Sequence, residues 1–229
     1  MVSKSYTALM VVPFQNIRSL EASVSLQSNV DKEVPVDCFK ELFFMENERR
    51  IVIPLHKPSR RELIFFFLCG ILISAPNAIV FEQFSTFLPY ALTVILVAPF
   101  VEEFAKVLPI FYRHGESEIS IVTMGTLIGL GFGITELVVY VLAGVPLIDR
   151  IPGVIFHASS ATVTAYGIAK KNPLPYYLLS VALHLTNNFF AYDVPALGAF
   201  PELLIVASIL ILAFHYYHRS SDEKIVEFK

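Results

Sequence analysis

The sequence predicts an all-α polytopic membrane protein, with about six transmembrane helices around a buried polar site and a small N-terminal cytosolic segment. Three observations lead there. The 229-residue chain is 55% hydrophobic with a mean hydropathy of +0.63, above the ~45–50% apolar share of soluble domains. From residue 61 onward, long apolar runs follow one another. Ionisable residues recur inside four consecutive runs, although each costs at least ~2.5–3.5 kcal/mol to insert in a bilayer.

Residues 1–58 are mixed and charged, with short apolar runs LMVVPF and IVIPL that read as strands. They are assigned as an N-terminal cytosolic segment of unknown role. The first twenty residues lack a signal-peptide pattern: their apolar run is short, Pro13 interrupts it, and no small-residue cleavage site follows. Residues 59–220 form the transmembrane helical domain, and 221–229 a cytosolic tail. A span needs about 20 residues, and the runs 62–82, 87–112, 119–145, 151–170, 174–192 and 197–217 qualify. Breaks fall at Ser85–Thr86, RHGESE, Val145–Pro152, KKNP and Asp193–Gly198.

Charge sets the orientation. Lys57, Arg60, Arg61, Arg113, Lys170, Lys171, Arg219 and Lys224 all fall on one side of a six-span chain, and Arg150 falls opposite. The excess of basic residues in cytoplasmic loops then places both termini in the cytoplasm of an integral cell-membrane protein. With no Trp, the ten Tyr are left to supply an interfacial belt. A net charge of −3 excludes a strongly basic nucleic-acid surface. Cys38 and Cys69 lie in unlike surroundings and read as free thiols.

The polar residues inside the runs are Glu102, Glu103 and Lys106 in the second, Glu136 in the third, His157 in the fourth, and His184, Asn187 and Asn188 in the fifth. Helical spacing lets Lys106 reach either acid, at i,i+3 or i,i+4. The two acids point ~100° apart, so one faces a cavity while the other packs sideways. Pro99 removes a backbone N–H and frees an upstream carbonyl just before the acids, loosening the helix there. His184 and Asn188 share a face. Gly125, Gly129 and Gly133 form a small-residue stripe that favours close helix contact, and His157 lies with Ser160, Ala161 and Thr164 on another.

Each feature has a plainer reading. Glu102–Lys106 serves as a neutralising pair, a lone membrane His as a packing residue, the asparagines as interhelical glue, and the glycines as packing. Glu82, His114, Glu116, Glu118, His215 and His218 lie at run ends and read as solvated. What favours chemistry is the coincidence of three acids, two imidazoles and an amide at compatible depths on adjacent helices.

Two hydrolytic mechanisms fit this set. In one, a buried Glu acts as general base on water, while His and Asn stabilise the oxyanion. In the other, His157, His184 and an acid, taken as Glu136, ligate Zn²⁺ and another Glu is the base. No cofactor is fixed by these residues, and Zn²⁺ is the candidate. HExxH, GxSxG and a paired catalytic Asp are all absent.

These residues carry a resemblance. EEFAK at 102–106 resembles the EExxK motif of the PrsW family of intramembrane proteases. GLGFGITE at 129–136 resembles its GxxFGxxE motif. His157 with Thr164 and Gly167, then HLTNN at 184–188, resemble its two later histidine motifs. That family is similar to a wider group of CAAX-processing proteases and the Aph-1 scaffold. The CAAX relatives carry EExxxR, and Val107 here favours the PrsW branch. The resemblance implies an intramembrane endopeptidase, of glutamic or metallo type, acting on a membrane-anchored protein substrate. It implies Glu102, Glu103, Glu136, His157 and His184 as the catalytic set, Asn188 as a helper, Lys106 in support and Glu102 as the base. The rival readings are an Aph-1-like scaffold without hydrolysis and a proton-coupled transporter, against which no inverted repeat is evident.

Overall fold

The structure is a computed structural model that describes residues 7–9, 52–54, 57–85, 87–112, 116–193, 200–222 and 225–226. The chain divides into two units, Met1–Leu55 and His56–Lys229. In the first, β1 (Thr7–Leu9) pairs antiparallel with β2 (Val52–Pro54), with Ala8 opposite Ile53. β2 falls in the run IVIPL, and β1 overlaps LMVVPF only at Leu9. Most of the 1–58 segment, with Cys38, lies outside the described residues, as do Arg113, His114 and Lys224.

The second unit is helical. α1 is Arg60–Gln83, started by Ser59 in a capping box: its Oγ accepts from the Glu62 N–H and its own N–H donates to Glu62 Oε2 at 2.7 Å. α2 runs from 90 to 107 as Tyr90–Leu92, Thr93–Val97 and Ala98–Val107, and tightens into a 3₁₀ stretch, Leu108–Tyr112. A two-residue strand β3 (Glu116–Ser117) pairs with β4 (Ile225–Val226). Then come α3 (Glu118–Leu142), α4 (Leu147–Ala169), α5 (Pro173–Asp193) and α6 (Phe200–Arg219). Each helix lies on one of the six apolar runs. One boundary moves. The break expected over Val145–Pro152 ends at Pro146, which takes the N-cap position, and Pro152 sits inside α4. Arg150 is therefore on a helix rather than in a loop.

α1 and α2 share a device. Each contains a π-helical turn, Gly70–Ser74 and Thr93–Val97, followed at once by Ala-Pro, Ala75–Pro76 and Ala98–Pro99. Proline lacks the N–H that the ladder needs, and widening to i→i+5 absorbs the defect. In α2 the Val94 carbonyl stands five residues before Pro99, so its π partner is missing. Asn188 Nδ2 donates to it at 3.0 Å. The carbonyl freed by proline is thus held by α5 instead of loosening α2.

α4 is the central helix, buried almost throughout from Phe156 to Ala169. α3 packs along it through the glycine stripe. A Cβ on Gly129 would run into the His157 carbonyl oxygen and the Ala161 Cβ, and one on Gly125 would run into Ala165. Only hydrogen at these positions lets the backbones approach this closely. Gly129→Ala is therefore expected to cost about 1–3 kcal/mol by overpacking and to shift His157. A thermal-unfolding midpoint equal to wild type would contradict this.

The helices alternate in direction. Lys57 Nζ, before α1, pairs with Asp222 after α6 at 3.3 Å. Lys170 Nζ at the end of α4 donates to Glu118 Oε2 at 2.6 Å, and the Ser221 N–H donates to the same oxygen at 3.0 Å. These contacts gather the described basic ends on one side and leave Arg150 at the other. They also correct the sequence reading of the acids there: Glu118 is only 4% exposed, because a carboxylate neighbouring a lysine and a backbone donor can be buried, and Glu116 is 1% exposed. His215 and His218 are exposed, as expected. Outside, the surface is apolar, with Leu72, Phe81, Ile211 and Phe214 among the exposed side chains. α1, α3 and α6 are long and apolar enough to cross a membrane.

Candidate active site

α2 presents its two acids differently. Glu103 is fully buried, while Glu102 lines a cavity of about 570 Å³. The ~100° step between neighbouring residues produces this split, as the sequence anticipates. The cavity reaches the bundle end that carries Gln83, Tyr90, Tyr140, Asp149 and Glu202, opposite Lys57 and Lys170.

Lys106 organises the floor. Its ammonium is fully buried and donates to Glu103 Oε1 at 2.6 Å, to His157 Nδ1 at 2.8 Å and to Ser160 Oγ at 3.2 Å. An ammonium has three N–H donors, and all three are used. The lysine thus pairs with Glu103, and Glu102 is left to the cavity. Glu103 Oε1 also accepts from His184 Nδ1 at 2.9 Å. That bond puts the His184 proton on Nδ1 and leaves the Nε2 lone pair facing the cavity.

His157 is held the opposite way. Its Nε2–H donates to Glu136 Oε2 at 2.6 Å, and its Nδ1 accepts from Lys106. Glu136 Oε1 in turn receives Arg150 Nη2 at 3.1 Å. The two imidazoles meet edge to face with centroids 5.3 Å apart. Phe156 lies 5.0 Å from the His184 ring and Phe132 5.0 Å from His157, so apolar walls border both rings.

One atom at the centre is uncommitted. Glu102 Oε2 is buried without a hydrogen-bond partner. It stands 3.8 Å from His184 Nε2 and 4.0 Å from His157 Nδ1. Those separations are too long for hydrogen bonds and leave room for something between the three atoms. Among the described residues, Glu102, His157 and His184 are also the one group whose ligand atoms all lie within 4.8 Å of one another. Two imidazole nitrogens and a carboxylate oxygen are a catalytic zinc donor set, with a position left for water or substrate. The His184–Glu103 bond is the outer-shell carboxylate–histidine contact that such ligands make. The residues fit a Zn²⁺. Lys106 stands at His157 Nδ1, so ligation there requires the ammonium to withdraw onto Glu103 and Ser160, which it already touches.

The structure therefore brings Glu102, Glu103, Glu136, Lys106, His157 and His184 into one network. It arranges the acids otherwise than the sequence suggests. Glu102, not Glu136, faces both histidines, and Glu136 binds the far nitrogen of His157. Asn188 lines the cavity and supports α2 through Val94. Glu82, read as solvated, is half-buried on the cavity wall. In the sequence Arg150 reads only as a charge in the break between the third and fourth runs. The signal that finds it is the seven-residue interval to His157, two helical turns on one face. It becomes visible once α4 starts at Leu147.

No curated protein and no solved structure gives a significant match to this chain. Residues 58–215, the greater part of the chain, match the family of PrsW intramembrane metalloproteases. That span holds every residue of the network, so the convergence seen in space and the family match in sequence describe the same helices, and the chain belongs to the PrsW family of membrane-embedded proteases.

Proposed function

We propose that this protein hydrolyses a peptide bond of a membrane-associated protein within the bilayer, with Glu102 as the group that takes the proton of the attacking water. The carrying observation is the unpartnered Glu102 Oε2 set between His184 Nε2 and His157 Nδ1 on the cavity wall. The other two acids are engaged, Glu103 by Lys106 and His184, and Glu136 by His157 and Arg150. A base must have a free oxygen within reach of the proton it removes, and Glu102 has one. A Zn²⁺ held by His157, His184 and one oxygen of Glu102 would supply Lewis acidity, polarising the scissile carbonyl and acidifying water, and the proton would then pass to the other Glu102 oxygen.

Glu102 passes the proton on to the leaving amine. Glu103, fixed by Lys106, keeps His184 in the tautomer whose Nε2 faces the reaction. The phenyl rings of Phe132 and Phe156 limit water at the histidines, which strengthens every charge interaction there. In the membrane all six helices cross, the end with Lys57 and Lys170 faces the cytoplasm, and the substrate enters from the opposite side. That side is where the cavity meets Tyr90, Tyr140 and Glu202.

Metal analysis of the purified protein tests the reading. About one Zn²⁺ per chain is expected, with cleavage of a single-span substrate lost on chelation and restored by Zn²⁺. Full activity of metal-free protein would exclude the metal and leave Glu102 as an unaided base.

A further inference from the structure

We propose that Arg150 is a positioning residue for the histidine pair, acting through Glu136. The inference rests on the reading of Glu102, His157 and His184 as a metal-binding catalytic centre. Arg150 and His157 sit two turns apart on α4 and grip the same carboxylate by different oxygens, Arg150 Nη2 to Oε1 at 3.1 Å and His157 Nε2 to Oε2 at 2.6 Å. A carboxylate held at both oxygens cannot rotate, so it presents a fixed acceptor to the imidazole N–H. With Nε2 carrying the proton, Nδ1 is left unprotonated, 2.8 Å from Lys106 Nζ and 4.0 Å from Glu102 Oε2.

The local sequence serves this grip. A Cβ on Gly153, between the two residues, would lie 3.5 Å from Arg150 Nη2 and 3.9 Å from Glu136 Oε2. Those are ordinary van der Waals separations, and they place the guanidinium and the carboxylate together over Gly153. Tyr140, one turn after Glu136 on α3, lies under the guanidinium at 3.8 Å from its ring centroid. That cation–π contact holds the planar head from the other side. The order is thus Tyr140 on Arg150, Arg150 on Glu136, Glu136 on His157. Arg150 touches neither histidine, so its influence passes through the carboxylate.

The test is a double-variant cycle on the full chain in detergent, read by Zn²⁺ affinity in competition with a chelator. R150Q is expected to weaken Zn²⁺ binding about tenfold, the low end for outer-shell partners. E136Q is expected to weaken it more, and R150Q/E136Q no more than E136Q alone. Wild-type affinity in R150Q, or losses that multiply in the double variant, would overturn the proposal.

A second readout is independent of metal. In ¹⁵N-histidine-labelled apo protein, His157 is expected as a single Nε2–H tautomer, held also by the Lys106 donor at Nδ1, and its Nε2 resonance is expected to shift in R150Q as the Glu136 acceptor loosens. His184, pinned by Glu103, should keep its Nδ1–H form in both. An unchanged His157 spectrum in R150Q, or equal disturbance of both rings, would overturn the positioning role. If wild-type protein binds no Zn²⁺, the metal reading fails, and the spectral comparison alone decides Arg150. If R150Q does not fold, R150K carries the same comparisons, with a smaller loss expected and no loss overturning.

Discussion

Glu102→Gln is expected to slow peptide hydrolysis by about 10²–10⁴-fold while leaving the unfolding midpoint close to wild type. The two halves of this expectation come from one observation. Glu102 Oε2 has no hydrogen-bond partner, so the amide gives up no bond there, yet it cannot accept a water proton. Both histidines keep their other contacts, His184 to Glu103 and His157 to Glu136 and Lys106. The measurement is cleavage of a single-span substrate by the protein in proteoliposomes, beside a thermal melt. Wild-type rates in the variant would sink the role given to Glu102. A large fall in the midpoint would show instead that this acid holds the bundle together.

The second expected result is the reverse case. Lys106→Met leaves Glu103 fully buried without its counter-ion, and removing one partner of a buried pair costs about 3–5 kcal/mol. His157 and Ser160 lose a donor at the same time. The double variant Lys106→Met with Glu103→Gln removes both charges and should recover most of that loss, because a buried pair adds little net stability over neutral groups. Activity should not recover with it, since His184 loses the carboxylate that fixes its tautomer. Thermal unfolding in lipid nanodiscs checks the stability half. If the two single losses simply add in the double variant, Lys106 and Glu103 are not an energetic pair.

Much of the helical layout was legible from the residues. The six apolar runs became helices within a few residues of their expected bounds, because bilayer-length apolar stretches leave the backbone few alternatives to satisfying its own hydrogen bonds. The polar residues chosen inside those runs meet, because each was too costly to place anywhere but together. The errors fall where burial is decided by partners distant in sequence. Glu118 looked like a solvated end residue, and its burial depends on Lys170 and the Ser221 backbone. Arg150 reads as a loop charge when Val145–Pro152 is a break, whereas α4 accommodates Pro152 near its start. Pro99 was correctly read as freeing a carbonyl, but not as one that Asn188 would claim.

By itself the sequence determined the helical class, the family and the list of groups that had to converge. Each follows from local quantities: run length, motif spacing, and the cost of a charge in an apolar segment. Only the tertiary structure decided which acid is engaged and which keeps an unpartnered oxygen. Glu102 and Glu103 are chemically identical neighbours, and their difference is an angle of rotation about α2 relative to α4 and α5. A π turn shifts the phase of the residues after it, and here it precedes Pro99 and is held by the Asn188 bond to the Val94 carbonyl. The outcome puts Glu103 against Lys106 and His184 and leaves Glu102 Oε2 unpartnered beside the two histidines.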